Sequence, residues 1–436
     1  MPGYDRLCRE GMNFTSHFTS AVPCSPSRAT LFTGLHVTQH GVQNNVNFGM
    51  NAPLDPDIPN MAHCLKAAGY RTPYFGKWHL TEMKVTSREK LDAYGFENWV
   101  PPDHHGTPYD GLMHDRMFAT EAIHWLRGNG TKGPWFLTLS MVNPHDICFY
   151  PRLDVPAIAV PDVFSNLPGN HHDDLKNKPR IQTVYRDGYG RLMGTQADKP
   201  ERLWLHYLDF YYWLQQRVDH QIARTLSTLD KLGLAQNTIV IFTSDHGDMC
   251  GSHKLQAKGP FMYQENNNVP LVVRWPARIQ PGAQTSALTQ SPDLFPTLLD
   301  MVGIRADTGY LPGKSLMPVI SSPEKTDLND HILMAFGMQG GGRLAQLGAK
   351  LGVNVKGVPV QLRAIHDGRH KFARYFDEGC EEEHELYDLE NDPLELQNLA
   401  ADPGYAKLAK EMAERLAEAE QKEMAAMPSE LLRRKC

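Results

Sequence analysis

The sequence predicts an α/β fold with a smaller α+β part towards its C-terminal end, and three observations predict it. Up to about Ser321, short apolar runs alternate with helix-period segments. One of those runs, in "NTIVIFTSDHGD", is continuously apolar and then turns abruptly polar, as a buried strand does where it reaches a site. Beyond Ser321 the texture changes to short strands, an acidic stretch and a polar helix. Each such element has one apolar face or stripe to bury, so the alternation implies layers. The expected parts are residues 1–325 and residues 326–436.

Taken in order, "MAHCLKAAGY" reads as a helix stopped by Gly69, and "RTPYFGKWHL" as a strand that opens into a loop. "PWFLTLSMVNPH" is a strand of apolar and β-branched residues with a polar end. Pro, Gly, Asn and Asp crowd residues 151–200, which read as an irregular excursion over the surface. Leu214, Val218, Ile222, Leu226 and Leu229 then recur at helical spacing until Gly233 stops them. The strand of "NTIVIFTSDHGD" is of the kind a parallel sheet buries on both faces, and "VPLVVRW" is a further core strand. A Gly-rich segment near Gly340, the strands "VQLRAIHDG" and "HKFARYF", the acidic "EGCEEEHELYDLENDPLE" and a heptad-like helix from Tyr405 to Met424 complete the chain.

With 436 residues, 41% of them hydrophobic, the chain can bury a large core. Its 44 basic and 50 acidic residues leave a net charge of −6 without long like-charge runs, which argues against nucleic acid as a partner. The seven cysteines are scattered and never form C-x-x-C, so neither a disulfide framework nor a zinc knuckle is indicated. No apolar run approaches the roughly 18–20 residues of a membrane span, and "MPGYDRLCREGMNF" has no signal-peptide core. A cytoplasmic location with no membrane partner is the reading of the chain as it stands.

Candidate chemistry is concentrated at strand ends. Asp245 and His246, with Gly247 and Asp248 beside them, offer oxygen and imidazole ligands for a divalent cation, although a polar turn explains the tripeptide equally well. Lys77 and His79 point to one side of an extended segment, but alone such a pair is more often a solvated surface. His145 follows a proline at a strand end, where a lone histidine is more often structural. Lys258 precedes Gly-Pro, and Arg28, four residues after Cys24, can hold an anion in its fork of donors. Together the set suits a small tetrahedral dianion with one nucleophile in line.

Cys24-Ser25-Pro26-Ser27-Arg28 and its continuation to Gly34 resemble the C-x-P-S-R signature of the sulfatase family. These are the formylglycine-dependent type I sulfatases of the alkaline phosphatase superfamily. "GKWHL", "NPHD", "IVIFTSDHGDMCGSHKLQAKGPFMYQENNNVPLVVRWP" and "HELYDLENDPLELQNLA" resemble the family's segments in the family's order. The resemblance implies an alkaline-phosphatase-like mixed or parallel sheet flanked by helices, and an arylsulfatase-like hydrolase of a small-molecule sulfate monoester. It implies that a separate formylglycine-generating enzyme oxidises Cys24 and that the hydrated product is the nucleophile. Arg28 and Lys77 would hold that hydrate and the metal-bound oxygens. His79 would assist its breakdown, and His145 and Lys258 would contact the sulfate and its leaving oxygen.

Asp245 and His246 would ligate a cation, calcium or another divalent ion, with His246 standing where many relatives have Asn. Family members open with an apolar strand ending in paired aspartates, so this chain is expected to lack that strand and to carry half of the metal ligands. A segment ahead of Met1 would make a periplasmic or secreted location the expectation. Two alternatives stay open: a phosphonate monoester or phosphodiester hydrolase of the same superfamily, and an inactive, truncated homologue that binds anions.

Overall fold

The structure, a computed structural model, describes residues 1–46, 52–81, 89–100, 103–104, 107–150, 158–192, 200–337, 352 and 354–426. Its strands are β1 (Met12–Phe14), β2 (His17–Phe18), β3 (Ala21–Val22), β4 (Tyr74–Gly76), β5 (Thr138–Ser140), β6 (Val240–Thr243), β7 (Leu271–Arg274), β8 (Ala283–Thr285), β9 (Thr289–Gln290), β10 (Ile332–Phe336), β11 (Gln361–His366), β12 (His370–Phe376) and β13 (Glu383–Asp388).

A mixed sheet, in the order β6-β7-β1-β8, lies between helices. β1 runs antiparallel to β7, with Met12 opposite Val273, and parallel to β8. The strand period of two sends Met12, Phe14, Leu271 and Val273 into a core with Leu294, Leu316 and Val319. Val272 faces the other way, against Phe118, Trp125, Leu226 and Leu229. β4 and β5 form a parallel pair over the same second core, where Phe75 is buried. The second large sheet, β13-β12-β11-β10-β3, has four antiparallel strands in chain order and ends on β3, which comes from the front of the chain and pairs parallel to β10.

The helix of Leu214 to Leu229 is real and longer than its apolar repeat, running from Glu201 to Lys231, with Gly233 at φ +67° after it. Its first half supplies the aromatic residues Trp204, Tyr207 and Phe210 to a core with Ile147–Tyr150. "MAHCLKAAGY" folds as the helix Met61–Ala67, capped by the Asn60 side chain. The C-terminal helix spans Ala406–Glu423 and packs Met412 and Leu416 under the β10–β13 sheet.

Three expectations change. β6 pairs antiparallel to β7 and is only partly buried, because its apolar run specifies an extended chain and not the direction of its neighbour. The excursion over residues 151–200 contains a helix, Arg180–Leu192. The acidic stretch contains β13, and its Glu385 is fully buried because Tyr375, Tyr387 and Gln182 donate to it. The Gly-rich segment near Gly340 lies outside the described residues. Among the described residues, Cys8, Cys24, Cys148, Cys250 and Cys380 are free, whereas Cys64 is disulfide-bonded, which the scatter of cysteines did not announce. No described helix is long and apolar enough to cross a membrane.

Candidate active site

Four strand ends deliver the candidate residues other than Lys258 to one place. β3 leads into the helix Cys24–Thr33, β4 into Lys77–His79, β5 into the turn His145–Phe149, and β6 into Asp245–His246. The Cys24 helix opens with the Pro23 carbonyl accepting the Ser27 N–H at 3.1 Å, and Pro26 sits in the first turn, where a missing N–H costs nothing. It stops at Gly34, whose φ of +69° lets its N–H bond back to Thr30.

Cys24 is fully buried, and its Sγ lies 3.1 Å from His246 Nε2. Burial alone pushes the thiol up, but Lys77, Lys258 and His246, with a hydrogen bond to His145, outweigh it and hold the thiol well below its ordinary range. Burial pushes His145 down to about 3, and the nearby Lys258 and Lys77 act in the same direction. Burial likewise takes His79, which hydrogen-bonds Cys24, down to about 4. Both imidazoles are therefore neutral near pH 7.

Lys258 keeps its charge: burial works against it, but Cys148, Cys24 and Asp248 raise it above an ordinary lysine, and its Nζ lies 3.1 Å from Cys148 Sγ. His246 is raised as well, since Asp245 and Cys24 overcome its burial. Its Nδ1 donates to the Gly247 carbonyl at 2.7 Å, which leaves Nε2 as the nitrogen facing Cys24. Asp245 is lowered, chiefly by His246 against the opposing effect of burial.

Cys24, Arg28, Lys77 and His79 are buried, whereas His145, Asp245, His246 and Lys258 are partly exposed, so the site opens on that second side. Cys24, Asp245 and His246 bring three ligand atoms within 4.8 Å of one another. Gly247 is required by close approach and not by a tight turn: a Cβ there would stand 1.9 Å from the Glu265 carbonyl oxygen.

Arg28 acts through other residues. Its Nε donates to the Trp78 carbonyl at 2.8 Å, and its Nη2 faces the Lys77 carbonyl at 2.6 Å, the Tyr74 hydroxyl at 2.7 Å and Ser140 Oγ at 2.8 Å. Only Nη1 turns towards the site, 3.8 Å from Asp245. Ser25 Oγ donates to the His79 carbonyl at 2.6 Å, and Ser27 Oγ to the Asp245 carbonyl. Asp103, which carried no signal in the sequence, accepts the Trp78 N–H at 2.8 Å and the His79 N–H at 2.5 Å. Asp115 accepts the N–H groups of Val142 and Asn143, and Asp146 those of Gly111 and Leu112, which fixes the turn that bears His145.

The sulfatase family model matches residues 1–304, and the model described as N-sulphoglucosamine sulphohydrolase, C-terminal, matches residues 354–422. The multifunctional alkaline phosphatase superfamily protein PehA of Trinickia caryophylli is 27% identical, with 95% of this chain and 88% of that protein aligned. The Delta 4,5-hexuronate-2-O-sulfatase of Bacteroides thetaiotaomicron is 26% identical, over 93% of this chain and 81% of its own. Among solved structures, the phosphonate monoester hydrolase of Agrobacterium radiobacter is similar at a TM-score of 0.76 and 26% identity, covering 97% of this chain and 91% of the other.

Proposed function

The chain belongs to the sulfatase family, and from that premise we propose that it is a sulfuric ester hydrolase whose nucleophile is residue 24 after conversion to formylglycine. The observation that supports this reading most is the convergence on the Cys24 side chain of Lys77 and Lys258, with His246 Nε2 at 3.1 Å and a hydrogen bond to the neutral His145, which together outweigh its burial. Positive charge fixed around one reacting atom is what an incoming sulfate dianion requires, and holding it in place beforehand spares reorganisation during the reaction.

The residues divide the work. Lys77 and Lys258 bind and orient the anion's oxygens. Lys258 stays charged, so it meets the charge that develops on the leaving oxygen, while the neutral His145 orients that oxygen by hydrogen bonding. His79, also neutral, accepts a proton at the nucleophile. Arg28, Ser25 and Ser27 hold the Lys77–His79 and Asp245 segments against the Cys24 helix. A hydrated aldehyde at residue 24 supplies the attacking oxygen and a second hydroxyl through which the sulfate is released.

Asp245 and His246 fit a divalent cation as a carboxylate and an imidazole donor, and such an ion would stabilise the charged oxygens when bound. Two donors fall short of the six to eight oxygens that calcium collects. The fit is therefore to a divalent cation with open positions, not to calcium in particular.

The test is turnover of matched aryl sulfate and aryl phosphonate esters by protein co-produced with a formylglycine-generating enzyme, with the mass of the residue 24 peptide read in parallel. Sulfate turnover that requires the modified residue and vanishes in Cys24→Ala is expected, and unchanged turnover in that variant would overturn the proposal. The likeness to a phosphonate monoester hydrolase favours a second reading, hydrolysis of phosphonate monoesters or phosphodiesters. A higher kcat/KM on the phosphonate selects it. Binding of both esters by the modified protein without turnover selects the inactive homologue.

A further inference from the structure

Away from Cys24, His104, Asp110 and His114 gather three ligand atoms within 4.8 Å. His104 Nδ1 lies 2.8 Å from Asp110 Oδ1, and His114 Nδ1 lies 2.9 Å both from that oxygen and from the Asp110 carbonyl, with the two imidazole rings 3.9 Å apart. Asp110 and His114 are four residues apart at the start of the helix Asp110–Asn129, so they share a face, and His104 reaches them from the preceding segment. Asp110 is 3% exposed, and burial opposes its charge, but the two imidazoles keep it below the usual carboxylate range.

The cluster borders a cavity of about 360 Å³ that His104, His114, Phe118, Glu121 and Gly76 help to line. Glu121 is seven residues beyond His114 and places a second carboxylate on the cavity wall. Two imidazoles and a carboxylate oxygen, with open space on one side, suit a borderline transition metal with exchangeable positions, and not a hard cation that needs an oxygen shell.

We propose that His104, Asp110 and His114 form a second metal site, of the zinc class, separate from the Cys24 centre. Its place in the fold gives it a role. Asp103, adjacent to His104, holds the Trp78 and His79 N–H groups, and the Gly111 and Leu112 N–H groups, adjacent to Asp110, are held by Asp146 beside His145. A metal across His104, Asp110 and His114 ties these two brackets together and braces the segments that carry Lys77, His79 and His145.

The experiment titrates Co²⁺, as a spectroscopic substitute for Zn²⁺, into the full chain carrying Asp245→Asn, which removes a carboxylate donor from the Cys24 centre. One equivalent with a d–d absorption of imidazole-ligated cobalt is expected, undisturbed by excess Ca²⁺. Adding His114→Gln or His104→Gln is expected to weaken it by about 100-fold or more, the upper range seen when even a supporting residue of a metal site is lost. Zn²⁺ is also expected to raise the melting temperature of the Asp245→Asn protein but not of these variants. Absence of cobalt uptake in Asp245→Asn protein that retains its circular dichroism overturns the proposal, and so does an unchanged affinity in His104→Gln. His104 lies outside the helix, so that variant carries the test if His114→Gln does not fold.

Discussion

Replacing Asp103 with alanine isolates how the Lys77–His79 segment is held. Its two carboxylate oxygens accept one backbone N–H each, from Trp78 at 2.8 Å and His79 at 2.5 Å, and the side chain is buried. A hydrogen bond to a charged group contributes about 1.5–3 kcal/mol, so losing both costs about 3–6 kcal/mol. At about 2.1 cal/mol/K per residue, the unfolding entropy of 436 residues is about 0.9 kcal/mol/K. The melting temperature should therefore fall by about 3–7 °C. Asp103→Asn keeps one acceptor and should lose about half as much. On the proposed function, misplacing Lys77 and His79 by about 1 Å should also lower kcat for the ester about 100-fold. The assay is calorimetry of the three proteins beside their steady-state kinetics. A melting temperature for Asp103→Ala within about 1 °C of the native value refutes the reasoning, as does an asparagine variant no better than the alanine one.

Two further predictions concern stability. Gly76 has φ +105°, and a Cβ there would stand 2.0 Å from the Ser140 carbonyl oxygen, so Gly76→Ala should cost on the order of 3 kcal/mol from backbone strain and the clash. Urea titration should show a lower midpoint at an unchanged slope, and a native midpoint would contradict the close approach. His17 is held neutral by burial, its pKa pushed down to about 3. The unfolded chain takes up a proton near pH 6.5 that the folded chain refuses, so this contribution is present above that pH and is lost as pH falls from about 6.5 towards 3. Between pH 8 and pH 5 the native chain should lose about 2 kcal/mol at this one site. His17→Gln lacks the site, so the stability gap between the two proteins should close by that amount, and a gap constant with pH would refute it.

The parts of the fold legible in the sequence are those in which one short segment contains its own reason. The helix Glu201–Lys231 shows its apolar repeat, and β6 and β7 show their apolar runs. What stayed hidden depends on partners distant in the chain. The helix Arg180–Leu192 carries Ile181, Val184 and Tyr185 at helical spacing, but its two glycines and the Pro-, Asn- and Asp-rich segment before it masked that short stripe, which packs against the β10–β13 sheet while Gln182 bonds Glu385. β13 looks like a solvated acidic tract until Tyr375, Tyr387 and Gln182 surround Glu385. The site divides in the same way. Cys24, Lys77, His145, Asp245 and Lys258 were visible because each sits in a short polar stretch at a strand end or turn, whereas Asp103, Tyr74 and Ser140 act through contacts that no local pattern announces.

The motif that made Cys24 conspicuous has an internal logic that only the fold supplies. Of the five residues Cys24 to Arg28, Cys24 presents its sulfur to the site, one is a proline in the first helical turn, and the other three reach away from it. Ser25 takes the His79 carbonyl, Ser27 the Asp245 carbonyl, and Arg28 the Lys77 and Trp78 carbonyls. A single turn of helix thus holds both the segment that supplies Lys77 and His79 and the one that supplies Asp245 and His246. Charge can overcome the burial of Cys24 only if those groups stay within a few ångströms of it, because the interaction weakens with distance while the desolvation cost does not. The spacing of the motif is therefore a condition for the electrostatics of the site as much as for the position of the Cys24 side chain.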